Sequence, residues 1–330
     1  LAVYTQLGAE ALATIIAEFD VGALTSAKGI AEGVSNSNWL IETMGSDSSG
    51  TGQQGSRFIL TMYETRTDIG DLPFFLGLLD HLASRDCPVP RTIHDRAGCA
   101  FRMHEGKALA LIEFLPGVSV SEPTPAQARS VGAALAQIAL AAADFPQQRA
   151  NELGLAGWQE LARACGVEGL AAIHPELGTL VQREMARLAR QWPRDLPHSV
   201  IHADLFPDNV LMLGDKVTGL IDFYFACTDI TAYDLAVTHA AWCFDDDGKR
   251  FDPALSEALL AGYESVRPLL VEERIALPIL ARGAAMRFLM TRAYDWMNTP
   301  AGAMVTRKDP LAFARRLEFY ADPAHAGLFG

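Results

Sequence analysis

The sequence predicts an α+β chain of two lobes, a small β-rich lobe over residues 1–115 and a larger, mainly helical lobe over residues 116–330. Three observations carry that prediction. Short apolar runs bounded by Gly, Pro and Ser dominate the first third, as half-buried strands require. Leu115-Pro116-Gly117 is an extended, proline-stiffened break of the kind that separates domains. From Thr124 onward the pattern becomes Ala- and Leu-rich with helical periodicity. Half of the 330 residues are apolar, enough for a large core shared between two domains.

Taken in order, residues 5–20 place Leu7, Leu12, Ile15, Ile16 and Phe19 on one side of a helix, with Thr5 as its N-cap. Residues 23–29, 38–43 and 58–64 read as strands. The first two are joined by the loop from Gly29 to Ser37, and an insertion over residues 45–56 separates the second and third. That insertion holds a G-x-G-x-x-G at Gly50, Gly52 and Gly55, but it leads from strand to strand. A dinucleotide fingerprint must lead into a helix, so its Ser/Gly/Gln composition reads as a flexible hairpin connection. Residues 72–85 form a helix with Asp71 as N-cap and Pro73 in the first turn, ended by Cys87-Pro88-Val89-Pro90. Residues 101–103 and 108–114 are the last strands of the lobe. In the second lobe, helices are predicted over 125–143, 178–190 (with a solvated basic face), 233–242, 253–267, 272–296 and 310–320.

The formal net charge is −13, which argues against nucleic acid or an anionic membrane surface as partner. No run approaches the ~18 apolar residues of a membrane span, and residues 1–10 lack the basic and apolar segments of a signal peptide. Five scattered cysteines without a C-x-x-C fit buried thiols in a reducing cytoplasm better than disulfides or zinc. No feature fixes an oligomeric state.

The chemistry concentrates in His202-Ala203-Asp204-Leu205-Phe206-Pro207-Asp208-Asn209 and Ile221-Asp222-Phe223-Tyr224. The first is H-x-D-x-x-x-x-N, the spacing in which a kinase Asp takes the acceptor hydroxyl proton and an Asn five residues on binds Mg²⁺. Between the two segments, residues 210–213, the Gly214-Asp215 turn and residues 217–221 read as a hairpin that returns Asp222 to Asn209. An amide oxygen and a carboxylate brought together suit Mg²⁺, which takes few protein ligands plus phosphate oxygens. His202 would fix the loop by hydrogen bonding rather than act as a base. The plainer alternative makes Asp204 and Asn209 turn residues and Asp222 the cap of a strand end.

This pattern resembles the catalytic loop of the aminoglycoside-phosphotransferase-like kinases and, within them, the homoserine kinases. The closer resemblance is carried by Thr25-Ser26-Ala27-Lys28-Gly29-Ile30-Ala31-Glu32-Gly33, by Asp71-Leu72-Pro73-Phe74-Phe75-Leu76, and by residues 200–209 and 221–227. Tyr294-Asp295-Trp296 and Thr299-Pro300-Ala301-Gly302-Ala303 add to it. It implies a two-lobed protein-kinase-like fold and transfer of phosphate from ATP, with Mg²⁺, to the hydroxyl of L-homoserine. It also implies that Asp204 and His202 belong to the catalytic loop, that Asn209 and Asp222 hold the metal, and that backbone near Glu113 and Leu115 meets the adenine. Lys28, Gly29, Gly33, Ser35 and Asn36 would line the phosphates.

One departure stands out. The third strand of a kinase usually carries a phosphate-pairing Lys, and here Thr61 occupies that position, leaving Lys28 or Arg57 to supply charge. For the acceptor, Tyr233, Asp234, Arg287 and Tyr294 are the candidates, with Arg287 assigned to a carboxylate. Arg282, Arg287 and Arg292 are five apart, so they cannot all face one pocket. Rival expectations are a choline, aminoglycoside or sugar kinase, the aminoglycoside reading supported by Asp245-Asp246-Asp247, and a nucleotide-binding pseudokinase suggested by Thr61.

Overall fold

The computed structural model describes residues 7–30, 36–46, 53–64, 68–299 and 307–330. The chain divides into two compact units, Leu1–Pro116 and Gly117–Gly330. The first unit holds α1 (Ala9–Ala17), β1 (Ala23–Ile30), β2 (Ser37–Ser46), β3 (Gln53–Met62), α2 (Leu72–Ala83), β4 (Thr92–Ile93), β5 (Arg102–His104) and β6 (Lys107–Glu113). The strands form one antiparallel sheet ordered β1-β2-β3-β6-β4, with β5 added on β6. Side chains alternate across a strand, so pairing Trp39 with Leu60, and Leu60 with Leu111, lines up one apolar face. Leu12, Ile15 and Ile16 of α1, with Phe19 just beyond its end, cover that face, packing with Trp39, Ile41, Leu60, Met62, Leu109 and Leu111.

Several expected boundaries move. Helix α1 starts at Ala9, with Gly8 in the capping position, and Thr5 lies outside the described residues. Strands β2 and β3 pair through Ser46 and Gln53, because ladder bonds need only backbone and tolerate Gly, Ser and Gln side chains. The insertion therefore narrows to residues 47–52, which are outside the described residues. Asp71 gives no side-chain cap to α2, because it is itself helical, closing a 3₁₀ turn over Ile69–Asp71. Asp68 caps that turn instead, accepting the Gly70 N–H at 2.8 Å.

The second unit holds α3 (Pro125–Ala141), α4 (Leu155–Ile173), α5 (Leu177–Gln191), β7 (His198–Ile201), β8 (Val210–Leu213), β9 (Lys216–Leu220), β10 (Cys227–Ile230), α6 (Thr231–Trp242), α7 (Pro253–Glu264), α8 (Val271–Asn298) and α9 (Leu311–Ala321). Helix α3 opens with a reciprocal capping box between Thr124 and Gln127. Helix α6 is buried along its whole length, so it forms the centre of this unit. Helix α5 carries the expected exposed basic residues, but its Glu184 is buried and paired with Arg282 of α8 at 2.5 Å. Helices α3 and α7 approach backbone to backbone through two glycines: a methyl group on Gly132 would overlap the Leu259 carbonyl, and one on Gly262 the Arg129 carbonyl.

That approach leaves no room for side chains on either glycine. Gly132→Ala should destabilise the protein by about 2–3 kcal/mol, a typical cost of overpacking, despite Ala being the better helix former. Urea unfolding measures it, and an unchanged or raised midpoint would contradict the close packing of α3 on α7.

Candidate active site

Strands β7 and β10 pair antiparallel, with Ile201 opposite Cys227. The segment leaving β7 (His202 to Asn209) and the segment entering β10 (Ile221 to Ala226) therefore emerge at the same end of one ribbon. Between them β8 and β9 form the predicted hairpin, turning at Gly214, whose φ of +61° suits glycine. Val210 is opposite Leu220, and the Ile221 N–H donates to the Asn209 carbonyl at 3.0 Å. This register brings the chain before Asp222 back to Asn209.

The turn at residues 202–204 is fixed from several directions. Ala203 adopts a left-handed conformation, φ +64°, which is unusual for a residue with a Cβ. Asp234, in the first turn of α6, accepts the N–H groups of both His202 and Ala203 at 2.7 Å. Arg287 of α8 donates from Nη1 to the Ala203 carbonyl, and its Nη2 lies 3.8 Å from Asp204 Oδ1. His202 is fully buried; its Nε2 donates to the Ile221 carbonyl at 2.9 Å and its Nδ1 accepts the Asp204 N–H at 3.2 Å. Burial pushes the imidazole down to about 4, so it is neutral at pH 7 and acts as a bracket between the two segments. Trp242 adds a bond from Nε1 to the Leu205 carbonyl at 3.0 Å.

Asp204 keeps its carboxylate partly open, at 18% side-chain exposure, so it can meet a hydroxyl. Burial raises its pKa, while the charges of Arg287, Lys308 and Arg292 hold it down. Asn209 donates from Nδ2 to the Asp204 carbonyl at 2.8 Å, which leaves its amide oxygen for a cation. Asp222 is also left-handed, φ +64°, and starts a 3₁₀ turn over Phe223–Phe225. Its pKa is raised to about 7 by the protein packed around it and by the charges of Asp204 and Asp208. Neighbouring carboxylates that disfavour one another are what a divalent cation relieves, and hard oxygen donors match Mg²⁺. Among the described residues no group of three His, Cys, Asp or Glu forms a complete metal site, so such an ion would draw further ligands from phosphate.

Three expected acceptor contacts are corrected. Tyr233 is fully buried with its ring 5.5 Å from that of Trp192. Asp234 is engaged by two backbone N–H groups and Arg287 by the Ala203 carbonyl, so these two support the loop, while the buried Tyr233 hydroxyl has no hydrogen-bond partner among the described residues. Their helices show no burial signal distinguishing a bracket from a binding group, which is why the sequence misassigned them. Tyr294 is 38% exposed on α8. The three arginines do diverge: Arg282 meets Glu184, Arg287 the loop, and Arg292 the Asp309 carbonyl.

In the first unit, Lys28 is exposed on β1, Gly29 pairs with Trp39, and Gly33 and Ser35 lie outside the described residues. Asn36 is buried, its side chain accepting the Glu64 N–H at 3.3 Å. Thr61 is buried and donates to Asn38 Oδ1 at 2.8 Å, a cross-strand bond that occupies the position expected for the Lys. Arg57 lies over the Phe114 ring at 4.3 Å. Glu113 accepts the Arg91 N–H at 3.2 Å, and Leu115 follows beyond the end of β6. The sequence did not reveal a Lys–Glu pair made elsewhere, by Lys107 of β6 and Glu64 just after β3, at 2.5 Å. Only the register of the sheet brings these two together.

An antiparallel sheet unit followed by a helical unit with this loop and hairpin is the arrangement of a kinase-like phosphotransferase. The chain belongs to the phosphotransferase enzyme family, whose model matches residues 26–269. It is 48% identical over 321 residues to a homoserine kinase of Xanthobacter autotrophicus, covering 97% of this chain and 96% of that protein. It is 49% identical to a homoserine kinase of Gluconacetobacter diazotrophicus, covering 100% of both. Among solved structures it shares its fold with amicoumacin kinase hAmiN in complex with AMP-PNP, Ca²⁺ and Ami, at TM-score 0.68 and 13% identity, covering 96% of this chain and 94% of that one. Choline kinase of Cryptosporidium parvum matches at TM-score 0.64 and 14% identity, covering 95% and 94%.

Asp222 generates a pH prediction. Its carboxyl ionises near 7 in the folded chain against 3.8 ordinarily, so between those values the folded state holds the extra proton. Its contribution to stability therefore declines as pH rises through that window, and a bound cation offsets the decline. Mg²⁺ should raise the melting temperature more near pH ~7.5 than near pH ~5.5, and Asp222→Asn should abolish the difference. An equal Mg²⁺ shift at both pH values in the wild type would show that Asp222 is not a ligand.

Proposed function

We propose that this chain transfers the γ-phosphoryl group of ATP to the side-chain hydroxyl of L-homoserine, giving O-phospho-L-homoserine and ADP, a step toward threonine. The observation that carries the reading is identity of 46–49% to eight homoserine kinases over almost their whole length. The loop geometry supports it. The hydroxyl oxygen attacks the γ-phosphorus, the bond to the ADP oxygen breaks, and the hydroxyl proton passes to Asp204 Oδ. Arg287, 3.8 Å away, favours the ionised carboxylate that this step needs. Asn209 and Asp222 would hold Mg²⁺, which when bound neutralises phosphate charge and orients the nucleotide. Lys28, Gly29, Gly33, Ser35 and Asn36 remain the proposed phosphate-lining residues, and Glu113 to Leu115 the adenine-side backbone. Among the described residues no helix is long and apolar enough to cross a membrane; a reducing cytoplasm is the proposed setting for the thiols.

The aminoglycoside alternative loses its sequence support. Asp245 Oδ1 accepts the N–H groups of Lys249 and Arg250, and Asp247 pairs with Lys249 at 2.8 Å, so two acids of that run serve their own turn. Thr61, which suggests an inert pseudokinase, spends its hydroxyl on Asn38, and the full-length identity to homoserine kinases supports the active reading over that one.

An ADP-release assay over a panel of acceptors tests the reading. Homoserine should exceed serine, threonine, choline and kanamycin in kcat/KM. Serine is one methylene shorter, so its hydroxyl falls about 1.5 Å short of Asp204, and misplacement of about 1 Å can cost roughly 10²-fold. Choline or kanamycin turned over equally well would reassign the enzyme. Asp204→Asn should lower kcat by about 10²-fold or more while ATP still binds, and near-normal kcat in that variant would remove Asp204 as the proton acceptor.

A further inference from the structure

Arg274, Arg282 and Arg287 of α8 have defined partners, but the fourth arginine of that helix, Arg292, has no ion-pair partner among the described residues. Arg292 is half-buried, and it donates from Nη1 only to a backbone oxygen, the Asp309 carbonyl, at 3.2 Å. The Asp309 carboxylate turns instead to Arg315, at 3.7 Å. Among the described residues no carboxylate lies within ion-pair distance of Arg292. Its guanidinium sits 4.5 Å over the ring of Phe313. Arg316 of α9 sits 4.3 Å over the same ring. Arg316 is 3% exposed and donates from Nη2 to the Asp245 carbonyl at 2.8 Å, while its Nε and Nη1 have no partner.

A half-buried and a buried cation thus share one aromatic ring, and neither makes an ion pair with a carboxylate among the described residues. Burial and the Arg316 charge push Arg292 down to about 10, and burial lowers Arg316 as well. Like charges held this way are unfavourable until an anion joins them. The pair borders the catalytic loop. Phe206, two residues beyond Asp204, packs against Phe288 at 4.8 Å and Phe313 at 6.1 Å between ring centroids. The other charges in this region have partners: Lys308 is near Asp208 at 3.9 Å, and Arg287 holds the Ala203 carbonyl. Arg292 acts on the charges of both Asp204 and Asp208.

The geometry points to Arg292, backed by Arg316, as the seat of the acceptor's α-carboxylate, an inference that rests on homoserine being the acceptor. An extended homoserine spans about 6 Å from its hydroxyl to its carboxylate oxygens, so with a hydrogen bond at each end it bridges roughly 11 Å. Such an acceptor presents its hydroxyl to Asp204 while its carboxylate meets a planar guanidinium fork, the geometry in which Arg binds carboxylates best. Arg316 contributes positive potential from behind and, through the shared ring, holds the fork in place. Selectivity follows: an acceptor lacking the carboxylate leaves the cation pair uncompensated and binds poorly.

The test pairs two acceptors with one substitution. 3-Aminopropan-1-ol is homoserine without its carboxylate. In Arg292→Met, kcat/KM for homoserine should fall about 10²-fold, mostly through KM, while that for 3-aminopropan-1-ol stays within about threefold. The KM for ATP should not move. Equal losses on both acceptors overturn the assignment, as does a rise confined to the ATP KM, which would give the cations to phosphate. Absence of homoserine turnover in the wild type is a different failure, since it overturns the acceptor itself. If Arg292→Met does not fold, Arg292→Lys carries the same comparison: a several-fold loss of preference for homoserine supports the contact, and an unchanged ratio overturns it.

Discussion

A buried carboxylate that accepts two adjacent backbone N–H groups holds this protein's second unit together at its most important point. Asp234 lies on a helix with no exposed residue, and its oxygens are 2.7 Å from the N–H groups of His202 and Ala203. Those N–H groups belong to a turn that neither strand nor helix could satisfy, and burying them unpaired would cost about 1–3 kcal/mol each. The left-handed backbone at Ala203 follows from the same arrangement. It turns one carbonyl toward Arg287 and sets Asp204 beyond it, so the turn, the Arg287 guanidinium and the Asp234 anchor form one hydrogen-bonded unit beside the Asp204 carboxylate.

The loop and hairpin from His202 to Asp222 are legible in the sequence because their spacing and turn residues form a local pattern. The five-residue step from Asp204 to Asn209 and the Gly214 turn needed no knowledge of packing, and the hairpin appeared where the pattern placed it. What supports that segment was not legible. Asp234 and Arg287 look like ligand groups in the sequence, since an acid or a cation on an apolar helix carries no mark of what it faces. Helix α4 gives no continuous periodic signal, because a glycine at position 166 with φ +65° interrupts its pattern. The two-stranded ribbon β7–β10 is not legible either, its strands being four residues each and far apart in the chain.

The first unit shows the same division. Its strands are legible as short segments, with Trp39, Leu60 and Leu111 inside the ranges the sequence predicts, while their antiparallel pairing comes from the structure. Thr61 at the place of a lysine drew attention as a missing charge, whereas the structure shows a threonine hydroxyl bonded to Asn38 across the ladder. The Lys107–Glu64 pair joins residues 43 positions apart in sequence, one in β6 and one just after β3. A charge pair of that kind follows from sheet register and cannot be read from local pattern.

The contacts that hold the catalytic turn also differ in how much of the chain they span. His202 meets Asp234 across 32 positions, but the Ala203 carbonyl meets Arg287 across 84. During synthesis, the two N–H anchors become available as soon as α6 has emerged, whereas the guanidinium arrives only with α8. A nascent chain therefore carries the complete H-x-D-x-x-x-x-N motif before the Arg287 guanidinium can reach it. In vectorial synthesis the Arg287 contact to this turn becomes available only after most of the second unit has been made.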